Sequence, residues 1–531
     1  MTNGRISRRQ LLRATAVASA ATAATPPPAP AQPADDYRNY FGDLHCHNHI
    51  GYAQGSLRRS FEIGRNHLDF MAFTPHAYWP DIETYPGQIE NKWINGFAVA
   101  EARWPEVVEL AREFDDPGQF TTILGYERHS TYEGDYHILY PDLEGDYELI
   151  DDLRELQAFA KQRGCIMVPH HPSNQLGHRG TDPTLIDPAV SPVLEMYSEW
   201  GCAEHDRAPY PYKRHTEGGR WTKQTLQHFL ESGYRLGVIA STDDHLGFPG
   251  GYREGLAVVK TRELSRDAIF EALRARRSYA VTGDRIDLDF RLNGALMGQE
   301  LGPAAERRIE VAVDGWDQLD RVEVVKNGRV IHRDFPMDRE PGRARWDEPV
   351  VLRFEYGWGP WPALGWNRTA DWEIDIRVEG GTIEAYQPCF CPGPLDEGRR
   401  DRFTETTKKR LRLTSFTSLK QQVEDFSQKA VVLKIKGDAE TKITVALTQP
   451  TRTSLTKTLG ELAESNEMLF TAPFPMESAM LHRLVFADNH RTRFSFTDRG
   501  DSARDDWYYA RVTQANEQLA WSSPIWVKKS N

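Results

Sequence analysis

The sequence predicts an α/β barrel followed by a β-sandwich, and three observations lead to it. Over residues 41–283 short apolar runs alternate with stretches of helical spacing, the pattern of strands and helices laid in turn. Side chains of metal-ligand type close one apolar run after another. Past Gly283 the helical spacing stops, and short β-prone runs separated by turn residues take over.

Chain length sets the frame. With 531 residues the chain exceeds one ordinary core, so we expect two domains, 35–285 and 286–531, behind a leader at 1–34. Hydrophobic residues at 39% and aromatic residues at 11% describe a soluble globular protein. A net charge of −12 argues against nucleic acid as partner, because phosphate backbones recruit basic surfaces. A phosphorylated small molecule stays open, since bound cations would reverse the sign inside a pocket.

The leader is set aside from the fold. Ser7-Arg8-Arg9-Gln10-Leu11-Leu12 resembles a twin-arginine export signal, followed by a mild Ala-rich run at 14–24 and prolines from Pro26 to Pro33. Periplasmic or other exported localisation follows as an expectation, with no stable membrane insertion once the signal is removed. Five cysteines, an odd number, do not describe a disulfide scaffold.

Strands are expected at 41–44, 69–74, 120–126, 137–140, 165–169, 192–197, 235–241 and 256–261. Helical spacing falls at 104–113, 149–162, 222–230 and 267–275, with Ser265 as N-cap of the last and Gly164 as stop of the second. This alternation reads as a parallel sheet closed into a barrel, whose chemistry sits where the strands end. In the second half strands are expected at 309–313, 321–325, 350–354, 372–378, 430–435, 441–447 and 508–512. Asn327-Gly328 marks a tight hairpin between them. Trp358, Trp361, Trp366 and Trp372 crowd one region and read as core or packing between domains, with a hydrophobic wall over a substrate cleft as the alternative.

The chemistry starts at His45-Cys46-His47. Side chains in a strand alternate faces, so the two histidines share one and can grip one divalent ion. His76, Glu127, His137, His170-His171 and Asp243-Asp244-His245 arrive downstream, each closing an apolar run. Imidazoles and carboxylates without a thiolate set suit zinc, manganese or iron. The combination reads as a multi-metal hydrolase.

His45-Cys46-His47, Thr74-Pro75-His76, Gly125-Tyr126-Glu127, His137, His171-Pro172 and Asp243-Asp244-His245 resemble the successive motifs of the PHP (polymerase and histidinol phosphatase) superfamily. Over residues 43–283 the resemblance implies a distorted seven-stranded β/α barrel holding two or three divalent transition-metal ions. The leader and the tail from Trp507 to Trp526 look like an exported branch that includes carbaryl-hydrolase-like proteins. The resemblance makes Glu127 the bridge between two ions, with His45, His47 and Asp243 around one. His76, His137, His171 and His245 complete the others. It also implies catalytic roles for Asp243, Glu127 and His245, and a metal-bridging hydroxide as nucleophile. His129 competes with His137, and His170, expected on the opposite face, competes with His171. Pro75 departs from the family, where an acid commonly stands.

Substrate contacts are less visible. Arg285, Arg128 and Glu195 are the candidates, with Arg58 and Arg253 behind them; Glu195 could equally orient a ligand or act as acid/base. The expected activity is cleavage of a small-molecule ester, a phosphoester or a carboxyl/carbamate ester. The alternatives are an amidohydrolase-type C–N hydrolase and a non-catalytic metal- or carbohydrate-binding protein. An amidohydrolase would want a carboxylated lysine at the middle strand, where Glu127 stands.

Overall fold

The computed structural model describes residues 36–82, 88–212, 219–340, 342, 346–360, 364–366, 368–392, 395–418, 428–500 and 504–529. The twin-arginine leader and Trp361 lie outside the described residues. The elements of the first half are β1 (Arg38–Asp43), α1 (Leu57–His67), β2 (Phe70–Phe73), β3 (His76–Tyr78), α2 (Gln88–Phe114), β4 (Thr121–Arg128) and β5 (Asp135–Leu139). They continue with α3 (Leu153–Arg163), β6 (Ile166–His170), β7 (Val193–Ser198), β8 (Gly201–Cys202), α4 (Leu226–Glu231), β9 (Gly237–Ala240), β10 (Leu256–Thr261), α5 (Arg266–Arg274) and β11 (Ser278–Val281).

Local chemistry accounts for several of these boundaries. Asp152 caps α3 by accepting from the Glu155 N–H, and Gly164 ends it at φ 78°, a left-handed conformation natural to glycine. Ser265 caps α5 by accepting from the Ala268 N–H. Every residue of β2 and β4 is buried, as strands covered on both faces require.

The main sheet runs β11-β10-β1-β2-β4-β5-β6 through this half. β1, β2 and β4 are parallel, as expected. The expectation of a uniformly parallel sheet is corrected elsewhere: β5 is antiparallel to β4 and β6, and β10 to β1 and β11. Six residues, 129–134, join β4 to β5, too few for the crossover a parallel pair needs. β7 and β9 pair in parallel in a separate three-stranded sheet. The chain beyond β9 meets the chain beyond β1 at a bridge between Cys46 and Asp244, and the Asp243 N–H donates to the His45 carbonyl at 2.8 Å. The fold is mixed α/β, with strands dominating.

Beyond β11 the strands Thr382–Cys389, Lys429–Lys436, Val350–Trp358, Ser478–Leu481 and Glu467–Phe470 form one sheet. Arg402–Thr406, Arg410–Ser418, Thr369–Glu379, Lys442–Gln449 and Thr453–Thr458 form another. Strand Thr369–Glu379 alternates buried and solvent-facing positions, the period of a strand with one face in a core. That core includes Leu352, Phe354, Trp372, Ile374, Val431 and Val445. Trp372 is thus core, whereas Trp358 and Trp366 are 37% and 47% exposed. Asn327 and Gly328 both take positive φ, 49° and 76°, at the expected hairpin.

The last strands return to the first half. Leu519–Ser522 pairs with β11, Tyr279 opposite Ser522 and Val281 opposite Ala520. Tyr279, Val281, Leu288, Ile309, Tyr508 and Val512 share one hydrophobic core with Phe41 and Val258 of β1 and β10. Residues from Asp36 onward form one compact unit, and residue 285 lies within it.

Candidate metal centre

Sheet register assembles the centre. His76 on β3 is the parallel partner of Glu127 on β4, and Glu127 is the antiparallel partner of His137 on β5. Directly paired positions point to one face, so these three strands deliver His76, Glu127 and His137 in a row. Asp135, two residues from His137, pairs with His170 at the end of β6. His45 and His47 follow β1 and approach the row from the side. Asp243 and His245 follow β9, where Asp243 is held at φ 55°. His171 also has positive φ, 27°. Positive φ in residues with a Cβ is costly, and it collects at functional sites.

The geometry centres on Glu127. Its Oε2 lies 3.5 Å from His47 Nε2, 3.6 Å from His76 Nε2 and 3.7 Å from His45 Nε2, yet makes no hydrogen bond among the described residues. His47 Nε2 is 2.9 Å from both His45 Nε2 and Asp243 Oδ1. His170 Nε2 is 3.3 Å from Asp243 Oδ2 and 3.8 Å from Glu127 Oε1. Both ring nitrogens of His137 and Nε2 of His129 also lack hydrogen-bond partners among the described residues. The side chains of His45, His47, His129, His137 and Glu127 are at most 2% exposed, whereas His245 is 32% exposed and marks the side facing solvent.

Burial sets the charge states. It holds the imidazoles of His45, His76 and His137 well below their ordinary value, with neighbouring imidazoles adding to the effect. It also brings His47 down to about 4 and His170 to about 3. Burial and the charges of Asp135 and Asp243 push the Glu127 carboxyl up. Burial and Asp243 do the same to Glu195. Neutral imidazole lone pairs and the carboxyl oxygens of Glu127 and Glu195 therefore converge. An orphaned buried oxygen ringed by three imidazole nitrogens is a poor protein core and a good cation site. Divalent cations would satisfy these lone pairs and release protons held on the glutamates.

All eight sequence-expected ligands, His45, His47, His76, Glu127, His137, His171, Asp243 and His245, come to this cluster or its wall. Groups with ligand atoms close enough to share an ion are His45–His47–Asp243, His47–His76–His245, His76–Glu127–His129, Glu127–His170–His171 and His45–His137–His170–Glu195. Both alternatives left open in the sequence resolve as both residues present. His129 joins from the loop after β4, with Nδ1 3.0 Å from Asp135 Oδ2. His170 was expected to face away, and this is corrected: register sets it opposite Asp135 on the face of His137, and the positive φ at His171 lets the next ring reach the cluster too, with centroids 3.8 Å apart. His171 Nε2 itself lies 3.2 Å from Asp135 Oδ2.

The substrate candidates fare differently. Arg128 follows Glu127 directly, so strand alternation sends it to the opposite face, where it donates to Glu133 and to the Asp151 carbonyl. Arg285 packs over the Phe41 ring and donates to the carbonyl of His67, the last residue of α1. Neither meets the cluster. Glu195 does, buried against His45, His137 and His170. Arg58 pairs with Glu113 on the surface. Arg179 was missed in the sequence. Its guanidinium donates to Asp135 and lies 3.2 Å from His129 Nδ1, beneath the face of Trp79. A lone arginine after a Gly-His pair carries no periodic signal that could have singled it out.

Fold and site together define a mixed α/β protein with a buried histidine–carboxylate centre able to hold divalent metal ions. No protein-family model matches the chain. It is 28% identical over 259 residues to an uncharacterized protein of Chlamydia pneumoniae, covering 44% of this chain and 41% of that one. It is 30% identical over 281 residues to an uncharacterized protein of Chlamydia trachomatis serovar D, covering 46% and 43%. The chain spans about two-fifths of the length of these curated relatives. A solved two-domain protein of Bacteroides vulgatus, described as containing a predicted PHP-like metal-dependent phosphoesterase, aligns over 80% of this chain and 96% of its own. Its TM-score of 0.30 and identity of 13% are too low to carry an argument.

Proposed function

We propose that the chain is an exported metal-dependent hydrolase of the PHP superfamily that cleaves an ester bond in a small molecule, a phosphoester or a carboxyl/carbamate ester. The observation that carries the metal centre is the Glu127 Oε2 atom, buried and without a hydrogen bond among three imidazole nitrogens at 3.5–3.7 Å. The order of motifs from His45 to His245 supports the superfamily, and a distorted seven-stranded barrel is the closure it favours for residues 43–283. The twin-arginine-like leader supports export to the periplasm. The acidic chain speaks against nucleic acid as substrate.

Two or three zinc, manganese or iron ions fit the donor set, drawn from His45, His47 and Asp243, from His76, His129 and Glu127, and from Glu127, His170 and His171, with His137 beside His45 and His170 and His245 beside His47 and His76. When bound, such cations lower the pKa of water towards neutrality and absorb charge developing on the attacked centre. The chain's own residues do the rest. His245 Nδ1 donates to the Asp243 carbonyl at 2.7 Å and lies 3.3 Å from Glu199 Oε1, and its ring centroid stands 4.7 Å from that of His47 and 5.2 Å from that of His76. Tyr52 stacks on His76 at 3.7 Å and closes that side of the cluster to water. Substrate enters from the side of His245.

Elemental analysis of protein expressed with metals in excess should find at least two transition-metal ions per chain. Chromogenic phosphate, carboxyl-ester and carbamate substrates then sort the bond type. A reproducible metal content near zero, with no turnover regained on adding zinc, manganese or iron, would overturn this function.

A further inference from the structure

Glu195 lies behind the cluster, on β7, with its side chain 1% exposed. Its two oxygens divide their work. Oε2 is 3.1 Å from His45 Nδ1, and Oε1 is 2.6 Å from His170 Nδ1. Both rings turn their other nitrogen inward: His45 Nε2 towards Glu127 and Asp243, and His170 Nε2 towards the same two carboxylates. The His45 and His170 rings meet edge to face, with centroids 4.2 Å apart. His137, with Nε2 3.6 Å from Glu195 Oε2, packs against His45 at 3.7 Å between centroids.

We infer that Glu195 is a positioning residue that fixes two ligand histidines at once, holding His45 and His170 with the proton on Nδ1 and the lone pair of Nε2 turned to the metals. This rests on the metal-centre reading above. An imidazole ligates through one nitrogen only when the other carries the proton, and a carboxylate acceptor selects that tautomer. One carboxylate accepting from two imidazoles couples them, so losing its charge disturbs both. The arrangement also explains a buried acid that meets imidazoles rather than a lysine or arginine among the described residues. Direct ligation by Glu195 is disfavoured at His45 and His170, whose Nδ1 atoms would have to bind a metal while Nε2 faced another.

Glutamine at this position keeps shape but not symmetry. Its oxygen can accept from one Nδ1–H, while its amide N–H faces the other ring and forces the wrong tautomer there. Glu195→Gln should therefore weaken zinc binding by roughly 10–100-fold at unchanged circular dichroism. A double-variant cycle separates positioning from general structure. With His170→Ala, the glutamine oxygen serves His45 alone, so Glu195→Gln should then cost much less than it does in the parent. Equal cost in both backgrounds overturns the inference.

The parent answers for itself where a variant does not fold. In zinc-loaded protein with nitrogen-15 histidine, both His45 and His170 should show Nε2 bound and Nδ1 protonated. Either ring bound through Nδ1, or a Glu195 oxygen found in the coordination sphere by anomalous scattering, overturns it. Zinc binding by the parent is read separately. Its absence sinks the metal centre itself, whereas parent binding that Glu195→Gln leaves within twofold sinks only the positioning role.

Discussion

At the scale of single residues, charge matters more than shape in a cluster packed this tightly. Glu127→Gln and Asp243→Asn keep volume and remove the negative charge that draws a cation towards the imidazoles. Both should lose bound metal and at least roughly 100-fold in turnover, the upper end of what changes beyond the ligands themselves cost. The fold should survive, because neither side chain belongs to the hydrophobic cores. His129→Ala and His137→Ala should each lower metal content as well, since both rings carry buried nitrogens without hydrogen bonds among the described residues. Metal stoichiometry against circular dichroism checks all four. Arg128→Met is the counter-case. Arg128 holds Glu133 and the Asp151 carbonyl, so its loss should lower the melting temperature while leaving KM unchanged. A raised KM with normal stability would put Arg128 back at the substrate.

Elements position those residues, and β1 is the most exacting of them. A Cβ on Gly42 would stand 2.3 and 2.4 Å from two ring carbons of Phe70 and 2.4 Å from its carbonyl oxygen. Because β1 leads directly into His45 and His47, Gly42→Ala should both destabilise the chain and reduce metal binding. Gly219→Ala is the control, since nothing lies within 4 Å of its added Cβ. Helix α1 carries a metal-independent pH effect at its last residue. Burial, with Arg285 beside it, brings His67 down from 6.5 to about 4. The unfolded chain takes up a proton there below about 6.5, and the folded chain only below about 4. Stability is therefore fully present above pH 6.5 and falls as pH drops towards 4. Melting temperatures of metal-free protein should follow that slope, and His67→Gln should flatten it. An unchanged slope in the variant would mean that His67 is not held neutral.

On the scale of the whole molecule, the returning C-terminal strands join the half that carries the candidate metal centre to the rest. Glu204, fully buried on the first-half side, accepts from Tyr509 Oη at 2.5 Å, Trp521 Nε1 at 2.9 Å and Arg511 Nη1 at 2.8 Å. Glu204→Ala would remove the acceptor of Tyr509 Oη and Trp521 Nε1 and leave Arg511 paired with Glu323, and should cost about 1–3 kcal/mol, read by denaturant unfolding. A chain ending at residue 285 would expose the edge of β11 and the apolar face that Tyr508 and Val512 cover. It should aggregate or unfold. A soluble, metal-loaded fragment of that length would show instead that the first half folds alone.

The sequence alone determined what depends on local periodicity and residue type. His45 and His47 share a face because they stand two apart, α5 begins at Ser265 where the side chain caps it, α3 stops at Gly164, and Asn327-Gly328 turns because both accept positive φ. The inventory of imidazoles and carboxylates at strand ends was legible for the same reason. What only the tertiary structure decided is which of those groups meet, because register between strands is a long-range property. His76, Glu127 and His137 line up through pairings that no local spacing encodes. His170 joins because register sets it opposite Asp135, on the face of His137, and Arg285 drops out because its partners Phe41 and His67 are distant in sequence, whereas Arg128 is turned away by strand alternation alone. Glu195 became the partner of two histidines 25 and 150 residues away in the chain, a meeting that only packing in three dimensions could bring about.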